Sequence, residues 1–509
     1  VHEYTTHLGW CIIMSVMTFS SHFPRLFLIA CWVSAGLLLG AGFLHPALWW
    51  VSLGGLIATL WLLHTPHRYW RTFLLGTMAG TIKTGLALIW FWSVYPIDWI
   101  GVPDRFMQVF TISAVWSTVS LSIGLGFGFF CAVVCFGLYK KRLLTLFCIP
   151  LLLVASELLG SLLFSLYSLG PGSVPNVYFS FGYLGYTLAR HGVFSLGAFF
   201  GGVYVLSLLA GIIAVGLVVA LRTKPRNYFL ISAAVLMALY FVPQSYFHTE
   251  PTTRVVAINT AFPLQATITE DQRTARDYVF VKAFTAALVS NSEVIVFPEA
   301  SHALRSLGST TDVFSFVNVV TTSTPAIIDS QEITEPGTGR HIVEADIYDS
   351  RAGVLAHARK KYLVPSGEFL PYNMARAMKL FGYSEAVDVL EKKMRLASAS
   401  AKEQEVLSPS LPGVLFCSES VSPLGMRSAA RGVNVPVIVH PVSHAWFHSP
   451  DILWYQLDLM LRAQVRFVGI PLVQASNMSP PRAYSKYGLP VEGKIIFTDE
   501  RAVAVQYEL

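Results

Sequence analysis

Val294-Ile295-Val296-Phe297-Pro298-Glu299-Ala300-Ser301 is an apolar run that stops on a proline and a carboxylate. A short β-branched run closed by a turn residue reads as a strand buried on both faces. Gly413-Val414-Leu415-Phe416-Cys417-Ser418-Glu419-Ser420 repeats the form and stops on a thiol. Further candidate strands are Thr253–Ile258, Pro325–Ile328, His341–Tyr348, Val435–Val439 and Phe467–Leu472. Helical patterns such as Asp271–Ser290 and Asp451–Val465 lie between them. This alternation predicts a layered α/β or α+β domain over residues 250–509. The stretch Met374–Val406, within a 371–407 insertion, is basic, amphipathic and helix-prone. It suits either a lid on a membrane surface or a solvated helical insertion.

The chain before this domain has a different composition. Only 13% of the 509 residues are charged and mean hydropathy is +0.55, where a soluble chain carries about a quarter charged residues. Twelve Lys/Arg but only four acids (Glu3, Asp98, Asp104, Glu157) precede His248, so the positive excess behind the net +6 belongs to that half. Such an excess points to membrane orientation rather than nucleic acid. Runs able to cross about 30 Å of hydrocarbon occupy Leu26–Leu44, Ala47–Leu63, Phe73–Val94, Phe110–Tyr139, Leu143–Tyr167, Phe194–Leu221 and Tyr228–Pro243. The expected architecture is a multi-pass α-helical membrane domain of about seven helices (1–245) followed by the α/β domain.

Arg25, Arg68 with Arg71, Lys140-Lys141-Arg142 and Arg222 to Arg226 mark every second loop. The positive-inside rule places these in the cytoplasm, and seven crossings then deliver the α/β domain to the far side. In a bacterium that is the periplasmic face of the inner membrane. Trp90, Trp92, Trp99 and Tyr167 fall near the outer ends and read as interfacial belts. Lys83 and Glu157 sit inside spans, where either function or plain helix packing accounts for them.

Cys11, Cys31, Cys131, Cys135 and Cys148 lie in or near apolar segments, so Cys417 is the one thiol of the α/β half. That excludes a disulfide framework there, and no Cys/His spacing suits a metal. GxGxxG, P-loop and nucleophile-elbow patterns are absent, and no cofactor is expected. A lone cysteine is often a small buried hydrophobe, Glu299 alone a helix-capping acid, and Lys360 alone a surface lysine. In the order Glu299, Lys360, Cys417, with their neighbours, they are more specific.

Phe297-Pro298-Glu299, the run Lys360-Lys361-Tyr362-Leu363-Val364-Pro365-Ser366-Gly367-Glu368, and Cys417 with Glu419 together resemble the nitrilase superfamily. Within it, the chain is similar to the membrane-bound apolipoprotein N-acyltransferases. Ala257-Ile258-Asn259, Ala445-Trp446-Phe447 with Ser449, and Gln474 to Asn477 extend the match. The resemblance implies an αββα sandwich carrying catalytic Glu299, Lys360 and Cys417. It adds Glu368 and Glu419 as supports and Asn259 and Trp446 against substrate. Spacing to Glu368 favours Lys360 over its neighbour Lys361. The implied reaction moves an acyl chain from phospholipid to Cys417, then to an amine such as a lipoprotein N-terminus. Thiolate chemistry explains the trio: Glu299 takes the thiol proton, and Lys360 with a backbone amide faces the oxyanion.

Ser418 stands where those acyltransferases have an aromatic residue, and Val442-Ser443-His444 replaces an Asn-containing approach. The charged helical stretch ending near Gln404 replaces an aromatic arm, and Thr498–Leu509 is too polar for their final span. Conjugal-transfer proteins of the TraB type share a nitrilase-like domain behind several spans, which implies conjugation machinery as partner. An amidase or nitrilase-type hydrolase is a further alternative.

Overall fold

A computed structural model describes residues 24–64, 68–98, 104–139, 143–222, 253–263, 269–306, 308, 310–335, 339–349, 353–399, 410–431, 434–448 and 450–509. Among the described residues, six α-helices make up the first part: α1 (Pro24–Ala41), α2 (Trp49–Leu62), α3 (Tyr69–Ala87), α4 (Arg105–Tyr139), α5 (Leu143–Tyr167) and α6 (Ala198–Arg222). Arg105–Gly137, Phe147–Tyr167 and Gly192–Leu221 are long and apolar enough to cross a membrane. The other three expected spans described here are shorter. The third ends at Ala87 and gives way to a 3₁₀ turn over Ile89–Val94. Tyr228–Pro243 lies outside the described residues, as do Trp99, Gln404 and Ser449.

Glycines let α3 and α4 touch backbone to backbone. A Cβ at Gly124 would stand 2.3 Å from Thr81 Oγ1, and one at Gly128 only 2.1 Å from Thr77 Oγ1. Inside this bundle Glu157 Oε1 accepts from the Leu184 amide at 2.7 Å, and Lys83 Nζ sits 5.9 Å from the Phe127 ring centroid. Both side chains are buried within the protein.

The second part is built on one mixed sheet. Its strands are β1 (Arg254–Thr260), β2 (Val294–Val296), β3 (Ala326–Thr334), β4 (His341–Asp349), β5 (Gly353–Arg359), β6 (Gly413–Val414), β7 (Ile438–Ser443), β8 (Leu472–Asn477), β9 (Arg482–Tyr484), β10 (Lys494–Thr498) and β11 (Ala502–Glu508). Hydrogen bonding runs β5-β4-β3-β2-β1-β8-β7-β6, with β11 antiparallel on β1 from Arg254↔Glu508 to Thr260↔Ala502.

Strand alternation sorts the side chains. Val256, Ile258, Ile295 and Ile327 pack under α7 (Glu270–Val289) and α8 (Thr310–Val320). Leu415, Ile438 and Leu472 pack under α11 (Pro423–Ala429) and α12 (Asp451–Val468). Their neighbours Val255, Val294, Val414, Val439 and Val473 share one core between the two halves of the sheet. The layering is therefore α–β–β–α, as the resemblance implied. Two further helices, α9 (Tyr372–Leu380) and α10 (Ser384–Lys393), fill the 371–407 insertion as far as Lys393. Their buried Met378, Val387 and Leu390 pack with Val94, Ile97 and Ile112 of the helical part.

Local rules set the boundaries. Thr269 and Gln272 form a reciprocal capping box, with Glu270 and Asp271 in the first turn of α7. Two expected strands are displaced. Phe467 and Val468 belong to α12, Gly469 closes that helix at φ 72°, and β8 begins only at Leu472. Likewise β7 starts at Ile438 rather than Val435. The closing Ala502–Glu508 is a strand on β1, which explains its alternating, non-spanning composition.

Candidate active site

Each group expected to act lies just beyond a strand end. Glu299 follows β2, Lys360 follows β5, and Cys417 opens a 3₁₀ turn (Cys417–Val421) after β6. Lys360 Nζ lies 2.8 Å from Glu299 Oε1 and 2.5 Å from Glu368 Oε1, with its side chain only 1% exposed. Lys361, by contrast, projects its ammonium over the Tyr362 ring at 5.6 Å. The structure thus brings Glu299, Lys360 and Glu368 into one buried cluster.

The turn Val364–Phe369 makes this possible. Glu368 Oε2 accepts from the Val364 amide at 2.7 Å, which folds its carboxylate back toward Lys360. Gly367 cannot carry a side chain there, because a Cβ would lie 2.2 Å from the Trp446 ring. Trp446 is therefore a packing plate for the lysine turn. Glu419 ties backbones rather than touching the ammonium. Its carboxylate accepts from the Lys361 amide at 2.8 Å and from the Phe416 amide at 3.2 Å. Ser418 Oγ donates to the Tyr362 carbonyl, so the cysteine turn is fastened twice to the lysine segment. Asn259 has hydrogen bonds of its own: Oδ1 accepts from Ser476 N and Oγ at 2.9 Å, and Nδ2 donates to Ala257 O. Its role here is to lock β1 to β8.

Burial, then the nearby Glu299 carboxylate, pushes the Cys417 thiol above its ordinary range, and the Lys360 ammonium pulls the other way. Burial also raises Glu299, against Lys360, so it is a stronger base than an exposed glutamate. For Lys360, burial opposes the charge, but Glu299 and Glu368 outweigh it and hold the ammonium charged. Burial lifts Glu419 to about 7, against the amides that hydrogen-bond it.

The β7 segment also brings two buried histidines, of which only His444 gave a signal in the sequence. His444 Nδ1 pairs with Ser479 Oγ at 2.8 Å, and the preceding carbonyl, Ser443 O, is 3.9 Å from Cys417 Sγ. Burial lowers His440 and His444 each to about 3, with neighbouring positive charge adding to it. The unfolded chain protonates them near pH 6.5, so their contribution is complete above that pH and is lost as pH falls towards 3. Glu299 and Glu419, both raised, act in the opposite sense, so a difference measurement is required. On acidification from pH 7.5 to 4.5, a His440→Leu variant is expected to lose less thermal stability than the wild type.

Glu344, Asp346 and His357 on β4 and β5 could offer three ligand atoms to a metal. Arg359 Nε already holds Glu344 Oε2 at 2.6 Å and His357 Nδ1 holds Asp346 Oδ1 at 2.5 Å, which makes them an ion-pair network.

Cys417 also lines a cavity of about 260 Å³ that runs between the two parts of the chain. Its walls are mainly apolar: Trp90, Phe91, Ala114, Val119, Phe164 and Phe179 from the helical part, with Leu363, Phe447 and Leu453 from the other. Trp90, expected in an interfacial belt, is instead 8% exposed and packs edge-on against Phe447 at 5.3 Å. Hydrogen bonds hold the seam beside it, from Ser180 N to Val421 O at 3.0 Å and from Tyr372 N to Leu169 O at 2.8 Å.

Comparison with solved structures returns mutants of an amidase from Nesterenkonia sp. AN1. One shows acrylamide joined by Michael addition to its active-site cysteine; identity is 16%, coverage 51% of this chain and 93% of that one, TM-score 0.33. A second, described as an amidase from the nitrilase superfamily, gives 16%, 52%, 92% and 0.34. A double mutant in complex with acrylamide gives 17%, 52%, 92% and 0.33. No family model and no curated protein matches the sequence.

Proposed function

We propose that this chain is a membrane-bound thiol acyltransferase of nitrilase type, with Cys417 as nucleophile, Glu299 as proton carrier and Lys360 as oxyanion partner. The observation that carries this reading is the apolar cavity, walled partly by the spanning-length helices, that has Cys417 in its lining. A cavity so placed suits a substrate whose reactive carbonyl is attached to an apolar chain. Phospholipid is the proposed donor, and an amine such as a lipoprotein N-terminus the proposed acceptor. The motifs from Phe297 to Glu419 support the same assignment. The periplasmic face of a bacterial inner membrane is the proposed setting.

In the acylation step Cys417 Sγ bonds to the ester carbonyl carbon as its proton passes to Glu299. An ammonium has three donors, and Glu299 and Glu368 engage two of those of Lys360. The third is left for the oxyanion, beside the backbone amide that follows Cys417. Collapse breaks the carbon–oxygen bond, and Glu299 returns the proton to the departing lysophospholipid. The amine then attacks the thioester, its nitrogen gains the acyl group, the carbon–sulfur bond breaks, and the amine proton returns to the thiolate through Glu299.

The test is reconstitution with phospholipid and a peptide bearing an N-terminal diacylglyceryl-cysteine. Acyl-amide product is expected, and Ala114→Phe, which fills the cavity away from the cluster, should lower its rate at least about tenfold. Release of free fatty acid with no amide product would assign hydrolysis instead. Amide formation unaffected by Ala114→Phe would remove the cavity from the substrate path.

A further inference from the structure

Helix α12 separates the thiol cavity from a second concavity of different chemistry. Leu453 and Leu457 face the first, whereas Trp454, Tyr455, Asp458 and Arg462 line the second. This second basin has a volume of about 420 Å³. Pro46 and Arg190 close it from the helical part, at the loops between α1 and α2 and between α5 and α6. Arg482, Tyr484 and Pro490 close it from the β9 side.

Three guanidinium groups therefore meet here with a single carboxylate. Asp458 Oδ2 accepts from Arg462 Nε at 2.8 Å and lies 3.8 Å from Arg190 Nε, and its Oδ1 accepts from Tyr484 OH at 2.9 Å. Arg482 donates to the Trp454 carbonyl at 2.8 Å and has no acid among the basin residues. Two positive charges in the concavity are thus unbalanced by its own residues. Asp458 is itself saturated with donors, so a further anion is the natural complement. Guanidinium forks in a concave site select phosphate oxygens over water more strongly than ammonium groups do. Two of the lining residues sit at the ends of apolar helices, the level at which lipid headgroups lie when such helices cross a bilayer.

We infer that the Arg190–Arg462–Arg482 basin binds a phosphate group, supplied by an anionic lipid headgroup or by a small soluble phosphate. The site is distinct from the thiol cavity and does not depend on acyl transfer being the reaction. Its closest link to that cavity is Trp454, whose ring centroid lies 5.0 Å from that of His444.

The probes are phosphatidylglycerol, phosphatidylcholine and inorganic phosphate, offered to the full chain in mild detergent and read by native mass spectrometry. Wild type should retain phosphatidylglycerol in preference to phosphatidylcholine, and millimolar phosphate should displace it. Retention should fall roughly tenfold for each guanidinium removed, in Arg190→Gln and again in Arg190→Gln/Arg482→Gln. Arg190 is 40% exposed, so its single substitution tests the site even where the double variant folds poorly. A charge-matched Lys282→Gln/Lys392→Gln control should bind as wild type. Retention of inorganic phosphate without the lipid, lost in Arg190→Gln, identifies a soluble ligand and supports the site. Failure of wild type to hold either probe, or equal retention by Arg190→Gln, overturns it.

Discussion

Lys360→Met is expected to lose activity by roughly a hundredfold or more and to destabilise the protein by about 3–5 kcal/mol. Both losses have one cause. The ammonium stands between Glu299 and Glu368 at 2.8 and 2.5 Å in a site almost closed to water. Its removal leaves two buried carboxylates facing each other, so one of them must take up a proton. A protonated Glu299 can no longer accept from the thiol, and the oxyanion has lost its charged donor. Lys361→Met is the matched control. Its ammonium lies against the Tyr362 ring rather than in the cluster, so both activity and stability should stay near wild type. Turnover and thermal unfolding of the two variants measure this directly, and equal effects would place the functional cation elsewhere.

Cys417→Ala should abolish turnover by about a thousandfold or more while leaving the fold intact. Beside its hydrogen bond to the Glu299 carboxylate, the thiol makes a weak contact of 3.9 Å to Ser443 O, whereas Glu419 and Ser418 hold the turn around it through the backbone. Losing the sulfur therefore removes chemistry and little packing. Glu419→Gln behaves differently in kind, because an amide can accept for only one of its two oxygens. The Phe416 and Lys361 amides then compete, and the cysteine turn loosens.

Much of this site was legible in the sequence because each group sits at a discontinuity. Apolar strands that stop on Glu299 and Cys417 announce positions where a polar side chain leaves a buried sheet. The eight-residue interval between Lys360 and Glu368 became meaningful as a turn that folds the acid back onto the base. Strand boundaries near Val468 were misplaced because one apolar run serves a helix end and a strand start, divided only by Gly469 and Pro471. β5, β9, β10 and β11 were passed over: Val354, Leu355 and Ile495 are exposed, β9 is only three residues long, and Ala502–Glu508 is rich in alanine and ends on Gln506, Tyr507 and Glu508.

The cavity could not be read at all. Trp90, Phe164 and Leu453 are hundreds of residues apart or on helices whose apolar faces look alike, and only tertiary packing distinguishes a wall from a lipid-facing surface. For the same reason Asn259 looked available, although its Oδ1 accepts twice from Ser476 of β8 and its Nδ2 donates to Ala257 O of β1. His444 gave a signal as a departure from the resemblance, but nothing local set it beside the thiol.

In the proposed mechanism Cys417 carries an acyl group, and intact-mass analysis of the purified protein after incubation with phospholipid detects that thioester. The expected result is an added fatty-acyl mass on wild type, released by hydroxylamine, mapped to the peptide containing Cys417 and absent from Cys417→Ala. A wild-type protein that stays unmodified with every phospholipid offered, or an adduct that persists in Cys417→Ala, would contradict the account.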